Sequence, residues 1–343
     1  MKALVFHQHG EADVLHLEED LPRPDPGEGE VQVRLHAAAL NHLDIWVRRG
    51  WPGLRLDMPH IGGADGAGTI SAVGPAVTGF AEGARVVICP GFATAADEFT
   101  RRGQHSLSPR FSILGESRSG TFAEYVTVPS EALMEMPEDA DFEATAAVPL
   151  VFLTAWRMLI TQARLRPGES VLVVGAGGGV NSAAIQIARL AGAEVFALTS
   201  SPEKMERARN LGADHVFDYR DGDWSTWIKE MTRKRGVDVV VDNVGKATFQ
   251  DSLKVLCRGG RLLTVGNTSG PKVEVDIRFI FSKQLHIIGS TMGTPEEFHQ
   301  VMTQVWAGKL SAVIDRVLPL AEGREAHLLL EQGVQFGKVV LTP

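Results

Sequence analysis

SVLVVGAGGGVNSAAIQIARL, residues 170–190, decides the fold. Residues 170–174 form an unbroken apolar run, as a parallel strand covered on both faces requires. A glycine-dense turn follows, and then Ala184, Ile187, Ala188 and Ala191 recur at the 3.6-residue spacing of an amphipathic helix. Gly192 supplies a stop, and the next strand begins at Glu194. Glycines at a strand-to-helix turn let a pyrophosphate approach the backbone and meet unpaired N–H groups at the helix N-terminus. Gly178, Gly179 and Val180 are the expected contacts; the plain alternative is a tight turn without a ligand. In the register Ala176-x-Gly178-x-x-Asn181, Asn181 stands where a third glycine would bring helix and strand close, so that closeness is in question. A second glycine cluster, GGADGAG at 62–68, leads into a strand and reads as a bend.

Working outward, apolar runs at 194–198, 215–219, 237–244, 261–266 and 285–289 alternate with helical patterns, which predicts a doubly wound α/β domain over 150–289. The flanking segments, 1–149 and 290–343, have a different grammar. Short strands at 31–37, 68–73 and 84–88 are broken by Gly and Pro, as in a folded-over β region. A helix at 296–306 and a strand at 338–341 close the chain, and that strand is expected to rejoin the first domain.

The composition removes several function classes. With 44% hydrophobic and 22% charged residues the 343-residue chain is an ordinary globular protein of about two domains. There are 34 basic against 42 acidic residues and no Lys/Arg block, so nucleic acid is not an expected partner. The most apolar stretch, 144–156, is too short for a bilayer span and contains Pro149, so no membrane is expected. Residues 1–10 lack a signal peptide's long apolar run, and the expected location is cytoplasmic. Cys89 and Cys257 are the only cysteines, too few for a four-cysteine zinc site or a disulfide framework.

Cofactor choice is read at the end of the second strand of the α/β domain. An NAD site tends to place a carboxylate there on the ribose 2′-OH, whereas this chain has Thr199, Ser200 and Ser201. With Lys204 and Arg220 close in sequence, NADP(H) is preferred over NAD(H). The alternative is that Ser200 or Ser201 caps the next helix and Lys204 is a solvated charge.

Together with Asn41-His42-Leu43-Asp44, Gly63-Ala64-Asp65-Gly66-Ala67-Gly68, Gly120-Thr121-Phe122-Ala123-Glu124-Tyr125, Asp242-Asn243-Val244-Gly245, Gly266-Asn267-Thr268-Ser269-Gly270 and Phe336-Gly337-Lys338, this order and spacing resembles the medium-chain dehydrogenase/reductase superfamily over essentially the whole chain. The resemblance implies a GroES-like catalytic domain, a doubly wound parallel-sheet Rossmann domain, a cleft between them, and a homodimer or homotetramer. It places nicotinamide beside Val265, Gly266 and Asn267, with Asn243, Val244 and Thr154 nearby, and Lys338 near the pyrophosphate. Tyr219 and Lys204 match positions that hold the adenosine phosphate in the quinone reductase branch.

The departures concern metal. Zinc alcohol dehydrogenases of the superfamily take ligands from Cys-x-x-Asp, from Gly-His-Glu and from a third region; here these read Asn41-x-x-Asp44, Gly63-Ala64-Asp65 and Leu150. The four cysteines of the structural zinc become Thr94, Asp97, Thr100 and Ser108. No metal site is expected. Without a Lewis acid, quinones and conjugated carbonyls are the easier hydride acceptors, because hydrogen-bond donors suffice for the delocalised charge. Asn41 is the expected amide donor, and His42 a donor or proton exchanger near neutral pH. Asp44 is expected to be an exposed carboxylate of ordinary pKa that orients backbone, and Trp46 and Trp51 could stack on a flat ring. The competing readings are an alcohol dehydrogenase stabilising its oxyanion with protein donors, and a cofactor-binding protein without turnover.

Overall fold

The strand Ser170–Val174 lies inside a six-stranded, wholly parallel sheet. This is the strand order 3-2-1-4-5-6 of a Rossmann domain: His215–Asp218, Glu194–Thr199, Ser170–Val174, Val237–Asp242, Leu256–Thr264 and His286–Gly289. Val171 is flanked in register by Val195 and Val239. Leu172, Val174, Phe196, Leu198, Val240 and Leu262 form the core on one face, and Val171, Val173, Val195, Val239 and Leu263 are buried on the other, so these strands are apolar on both faces. The fifth strand begins at Leu256 rather than at 261, and its pairing is irregular between Val237 and Val239.

This computed structural model describes residues 1–343, which divide into two compact units: Met1–Leu153 with Gly293–Pro343, and Thr154–Met292. The first unit is built on the long strand Glu30–Ala39, which pairs antiparallel with Asp65–Val73 and with Tyr125–Pro129. The C-terminal strand Lys338–Thr342 joins the same sheet, with Val340 opposite Ala39 and Leu341 opposite Ala38. Chain residues some 300 positions apart are thereby brought side by side.

The glycine cluster at 62–68 differs from its reading as a bend, because the strand already begins at Asp65 and contains Gly66 and Gly68. A Cβ on Gly68 would stand 2.0 Å from the Arg34 carbonyl oxygen, so strand-to-strand approach explains this glycine.

Candidate functional site

The helix Gly179–Leu190 starts where the first strand ends, with Gly178 at its N-cap. Helices beginning at Pro202, Trp224 and Ile277 have their first turns capped by Ser201, Asp223 and Asp276. The Gly178 helix has no side-chain cap, so its opening N–H groups are left to another acceptor.

Asn181 settles the question of the missing third glycine. Its Nδ2 donates to the carbonyl oxygens of Val174 (2.7 Å) and Gly175 (2.8 Å), tying the helix back to its strand. Its Oδ1 accepts from Asn243 Nδ2 at 2.9 Å, and Asn243 Oδ1 accepts from the Val265 N–H at 3.0 Å. Two amides thus lace together the C-terminal ends of three neighbouring strands. Below them Asp242, fully buried, accepts from the Val244 and Gly245 N–H groups and from the hydroxyls of Thr248 and Ser252. The loop carrying Gly266 and Asn267 folds onto this turn: the Ser269 N–H donates to the Val244 carbonyl at 2.8 Å. Asn181 and Asp242 were outside the set of expected site residues, although a polar residue at a strand end among apolar neighbours is a readable signal.

At the second strand's end Thr199 is buried, and the Tyr219 N–H donates to its carbonyl oxygen at 3.0 Å. Tyr219 is 48% exposed. Ser201 accepts from the Lys204 N–H, so the capping role exists. The Arg220 guanidinium forks onto Asp218 at 2.6 and 3.0 Å, with its side chain more than half exposed. Thr154 is buried, with its hydroxyl 3.9 Å from the Met292 sulfur.

In the first unit Asp65 is the hub of a buried network. Its Oδ2 accepts from Asn41 Nδ2 (3.0 Å) and Lys338 Nζ (2.9 Å), and its Oδ1 from the Leu150 N–H (2.8 Å). Lys338 also donates to Asn41 Oδ1 at 2.5 Å. Asp65 and Lys338 are 0% and 3% exposed. The second amide hydrogen of Asn41 reaches the Ala39 carbonyl, so Asn41 differs from the expected oxyanion donor: both its hydrogens already have acceptors. Lys338, expected at a pyrophosphate, gives two of its three N–H groups to this network.

Asp44 corrects the expectation of an exposed, ordinary carboxylate. It is buried and accepts from the N–H groups of Asn41 (2.7 Å) and Gly63 (3.2 Å); burial pushes its pKa up to about 7 against the pull of those bonds and of Lys338. The first of those bonds is half of a capping box, since Asn41 is the N-cap of the helix His42–Arg49. His42 stands at that helix's first position beside Trp46, and burial lowers its pKa, which holds the ring neutral at pH 7. Trp51 is exposed at the end of this segment.

Two family descriptions match the chain: the alcohol dehydrogenase GroES-like domain over residues 27–138, and zinc-binding dehydrogenase over 179–307. The human quinone oxidoreductase is 31% identical, covering 99% of this chain and 97% of its own. The chain belongs to the medium-chain dehydrogenase/reductase superfamily. A zinc-type alcohol dehydrogenase-like protein of Schizosaccharomyces pombe is 34% identical, over 91% of this chain and 90% of its own. A solved structure titled as an NAD-dependent alcohol dehydrogenase is 46% identical with a TM-score of 0.96, covering both chains completely. These names make the chain an NAD(P)-dependent oxidoreductase with an α/β architecture.

The superfamily's zinc positions can be tested on their donor atoms. A catalytic zinc takes three N, S or O ligands and keeps a fourth position open. Ala64 and Leu150 have no donor in their side chains, and Asn41 Oδ1 already accepts from the Lys338 ammonium. No group of three or more His, Cys, Asp or Glu is poised to hold a metal. These residues do not fit a zinc ion. At the positions of the structural site, Asp97 instead accepts from the Ser108 hydroxyl (2.6 Å) and the N–H groups of Phe99 and Thr100. Thr94 donates its hydroxyl to the Arg110 carbonyl. Hydrogen bonds centred on one carboxylate tie together three of the four positions.

Proposed function

We propose that this enzyme is a zinc-independent, NADPH-preferring reductase of quinones or activated carbonyls. The buried Asp65–Asn41–Lys338 network carries this reading, because it places a lysine ammonium among the residues that match metal ligands. The nicotinamide cofactor, when bound, supplies the hydride. A quinone accepting it becomes a hydroquinone anion and takes a proton from water, so two electrons and two protons are balanced. The chain's part is electrostatic: Lys338 supplies positive charge and retains one N–H, and neutral His42 is a donor that costs no deprotonation. The uncapped helix at Gly178 suits the cofactor's pyrophosphate, in contact with Gly178, Gly179 and Val180. The amide-laced strand ends near Asn243, Val244, Val265, Gly266 and Asn267 are assigned to nicotinamide, with Thr154.

The preference for NADPH rests on the absence of a carboxylate at Thr199 and Ser200, and on Lys204 and Tyr219 beside them. Lys204→Glu should weaken NADPH by roughly tenfold more than NADH. Equal weakening would end the assignment.

The deciding assay is NADPH oxidation with a simple quinone, using protein dialysed against a strong chelator and with its metal content measured. Turnover by metal-free protein is expected. Turnover that returns only with added zinc would replace this reading. The 46% identity to a protein titled NAD-dependent alcohol dehydrogenase favours a second reading, alcohol oxidation by NAD, and chelator-resistant alcohol turnover would select it.

Two further assignments accompany the proposal. The edge strand His286–Gly289 has exposed Ile287, and the preceding helix Ile277–Lys283 exposes Ile277 and Phe281 one turn apart, so we assign this edge to a second copy of the chain. Light scattering should give at least a dimer at micromolar concentration; a monomer would remove this idea. The thiols of Cys89 and Cys257, both free and buried, suit a reducing cytoplasm. No helix is long and apolar enough to cross a membrane.

A further inference from the structure

We infer that the Rossmann unit carries a second anion site, unrelated to the glycine cradle: a cavity lined by Lys229, Lys234, Arg235, Lys254 and Lys283 that takes a small, multiply charged phosphate compound. The cavity holds about 340 Å³, at the lower end of small-ligand pockets. Five of its lining residues are cationic and one, Glu230, is acidic, in a chain whose net charge is −8. It adjoins Gly236 and Leu256, where two sheet strands begin, whereas the cradle lies where strands end. The two anion sites are therefore at opposite ends of the sheet.

Part of this charge has a structural use. Lys229, Lys254 and Lys283 stand in the last turns of three helices, whose negative ends attract cations. Lys283 donates to the carbonyl oxygens of Lys254 (2.9 Å) and Leu256 (2.8 Å). Asp251 pairs with Lys254, and Asp238 with Arg235. Helix ends do not explain Lys234 and Arg235, which arrive on a turn where Arg233 and Lys234 both have positive φ, +50° and +66°. Non-glycine residues are costly in that conformation. The turn is held by main-chain bonds from Arg233 to Glu230, from Lys234 to Lys229 and from Arg235 to Thr232, and by the Gly236 N–H on the Thr232 hydroxyl. These bonds fix the backbone from which Lys234 and Arg235 project. Burial, and then Lys229, pushes the Lys283 pKa down, whereas Asp251 and Asp238 raise those of Lys254 and Arg235.

The chemistry selects phosphate over carboxylate. A planar carboxylate is matched by a free arginine fork, but the fork of Arg235 is taken by both oxygens of Asp238, at 3.0 and 2.6 Å. What remains is a set of ammonium groups, point charges that suit the radiating oxygens of a phosphate.

The test is calorimetric titration of the full chain with inorganic pyrophosphate at fixed ionic strength, with malonate as the carboxylate control. Variants are Lys229→Gln/Lys234→Gln, chosen because Lys254 and Lys283 carry structural bonds, and Gly178→Asp at the cradle. The expected result, read in the Gly178→Asp background where the cradle is blocked, is saturable binding, weakened at least tenfold when the two lysine substitutions are added, and at least tenfold weaker for malonate. Thermal unfolding of the lysine variant should match the parent's, confirming that it folds. The inference is overturned by absence of saturation up to about 10 mM in that background, by full-strength binding once the lysine substitutions are added to it, or by malonate binding equally well.

Discussion

The glycine cradle of the second unit and the Asp65 network of the first use polar groups in opposite ways. At Gly178 a helix begins with no side chain on its opening amides, as does the short helix Phe249–Val255, while the helices starting at Pro202, Trp224 and Ile277 are capped by Ser201, Asp223 and Asp276. At Asp65 both carboxylate oxygens, both amide hydrogens of Asn41 and two ammonium hydrogens of Lys338 find partners within the unit. Unpaired donors are what a charged ligand can use; paired ones order the protein. On the proposed reading, the first place receives the ligand and the second holds a shape and a charge.

The largest loss is expected at Asp65. Asp65→Ala would leave the Lys338 ammonium, 3% exposed, without its carboxylate. Removing one partner of a buried pair costs about 3–5 kcal/mol, because the other charge stays desolvated. Chemical denaturation should show a loss of that size, the largest effect expected here. A loss below about 1 kcal/mol would mean that Lys338 reaches solvent and that the network is not what orders this sheet.

The same contrast explains what the sequence made legible. The cradle lies within one continuous stretch, 170–190, where an apolar strand, a glycine turn and a 3.6-residue pattern follow one another, so local periodicity was enough. The network draws on positions 41, 44, 65, 150 and 338, which meet only when the C-terminal strand pairs with Glu30–Ala39. Asn41 was therefore read as a free donor and Asp44 as exposed, since burial and occupied hydrogen bonds follow from tertiary packing. Nor does sequence show that Arg220, a cation near a phosphate position, pairs with an acid two residues away. The departures from the superfamily's metal pattern, by contrast, are legible residue by residue, because Ala64 and Leu150 lack side-chain donors whatever their surroundings.

Asp44 makes the stability of the first unit depend on pH. Its folded pKa, about 7, lies above the unfolded value near 3.9, so the native state keeps a proton that the unfolded chain has lost between those values. Its contribution to stability is full below about pH 4 and disappears as pH rises through 7. His327 has the opposite sign: burial and the nearby Arg48 hold its pKa down to about 3, so its contribution is full above about pH 6.5 and disappears as pH falls towards 3. Asp44→Asn removes the first effect and leaves the second, and its side-chain oxygen can still accept from Asn41 or Gly63. Its stability should therefore rise more steeply than the parent's between pH 4 and 7, diverging by on the order of a few kcal/mol. Parallel denaturation curves across that range would place Asp44 in water.

The smallest change in stability belongs to the cradle, where it should oppose a large change in binding. Gly178 has φ −74° and ψ 153°, open to any residue, and an added Cβ there meets nothing nearer than 3.8 Å. Gly178→Asp supplies the missing cap and puts negative charge at the helix N-terminus, together worth a few tenths to about 1 kcal/mol of added stability. The same carboxylate would occupy the amides assigned to the pyrophosphate and repel it, so NADPH affinity should fall about a hundredfold. A function-bearing helix end is thus expected to be one that a single substitution makes more stable and less able to bind. Thermal unfolding and cofactor titration on the same variant test both halves. Added stability with unchanged NADPH binding would show that the cofactor's phosphates lie elsewhere, and would leave the uncapped helix as a tight turn without a ligand.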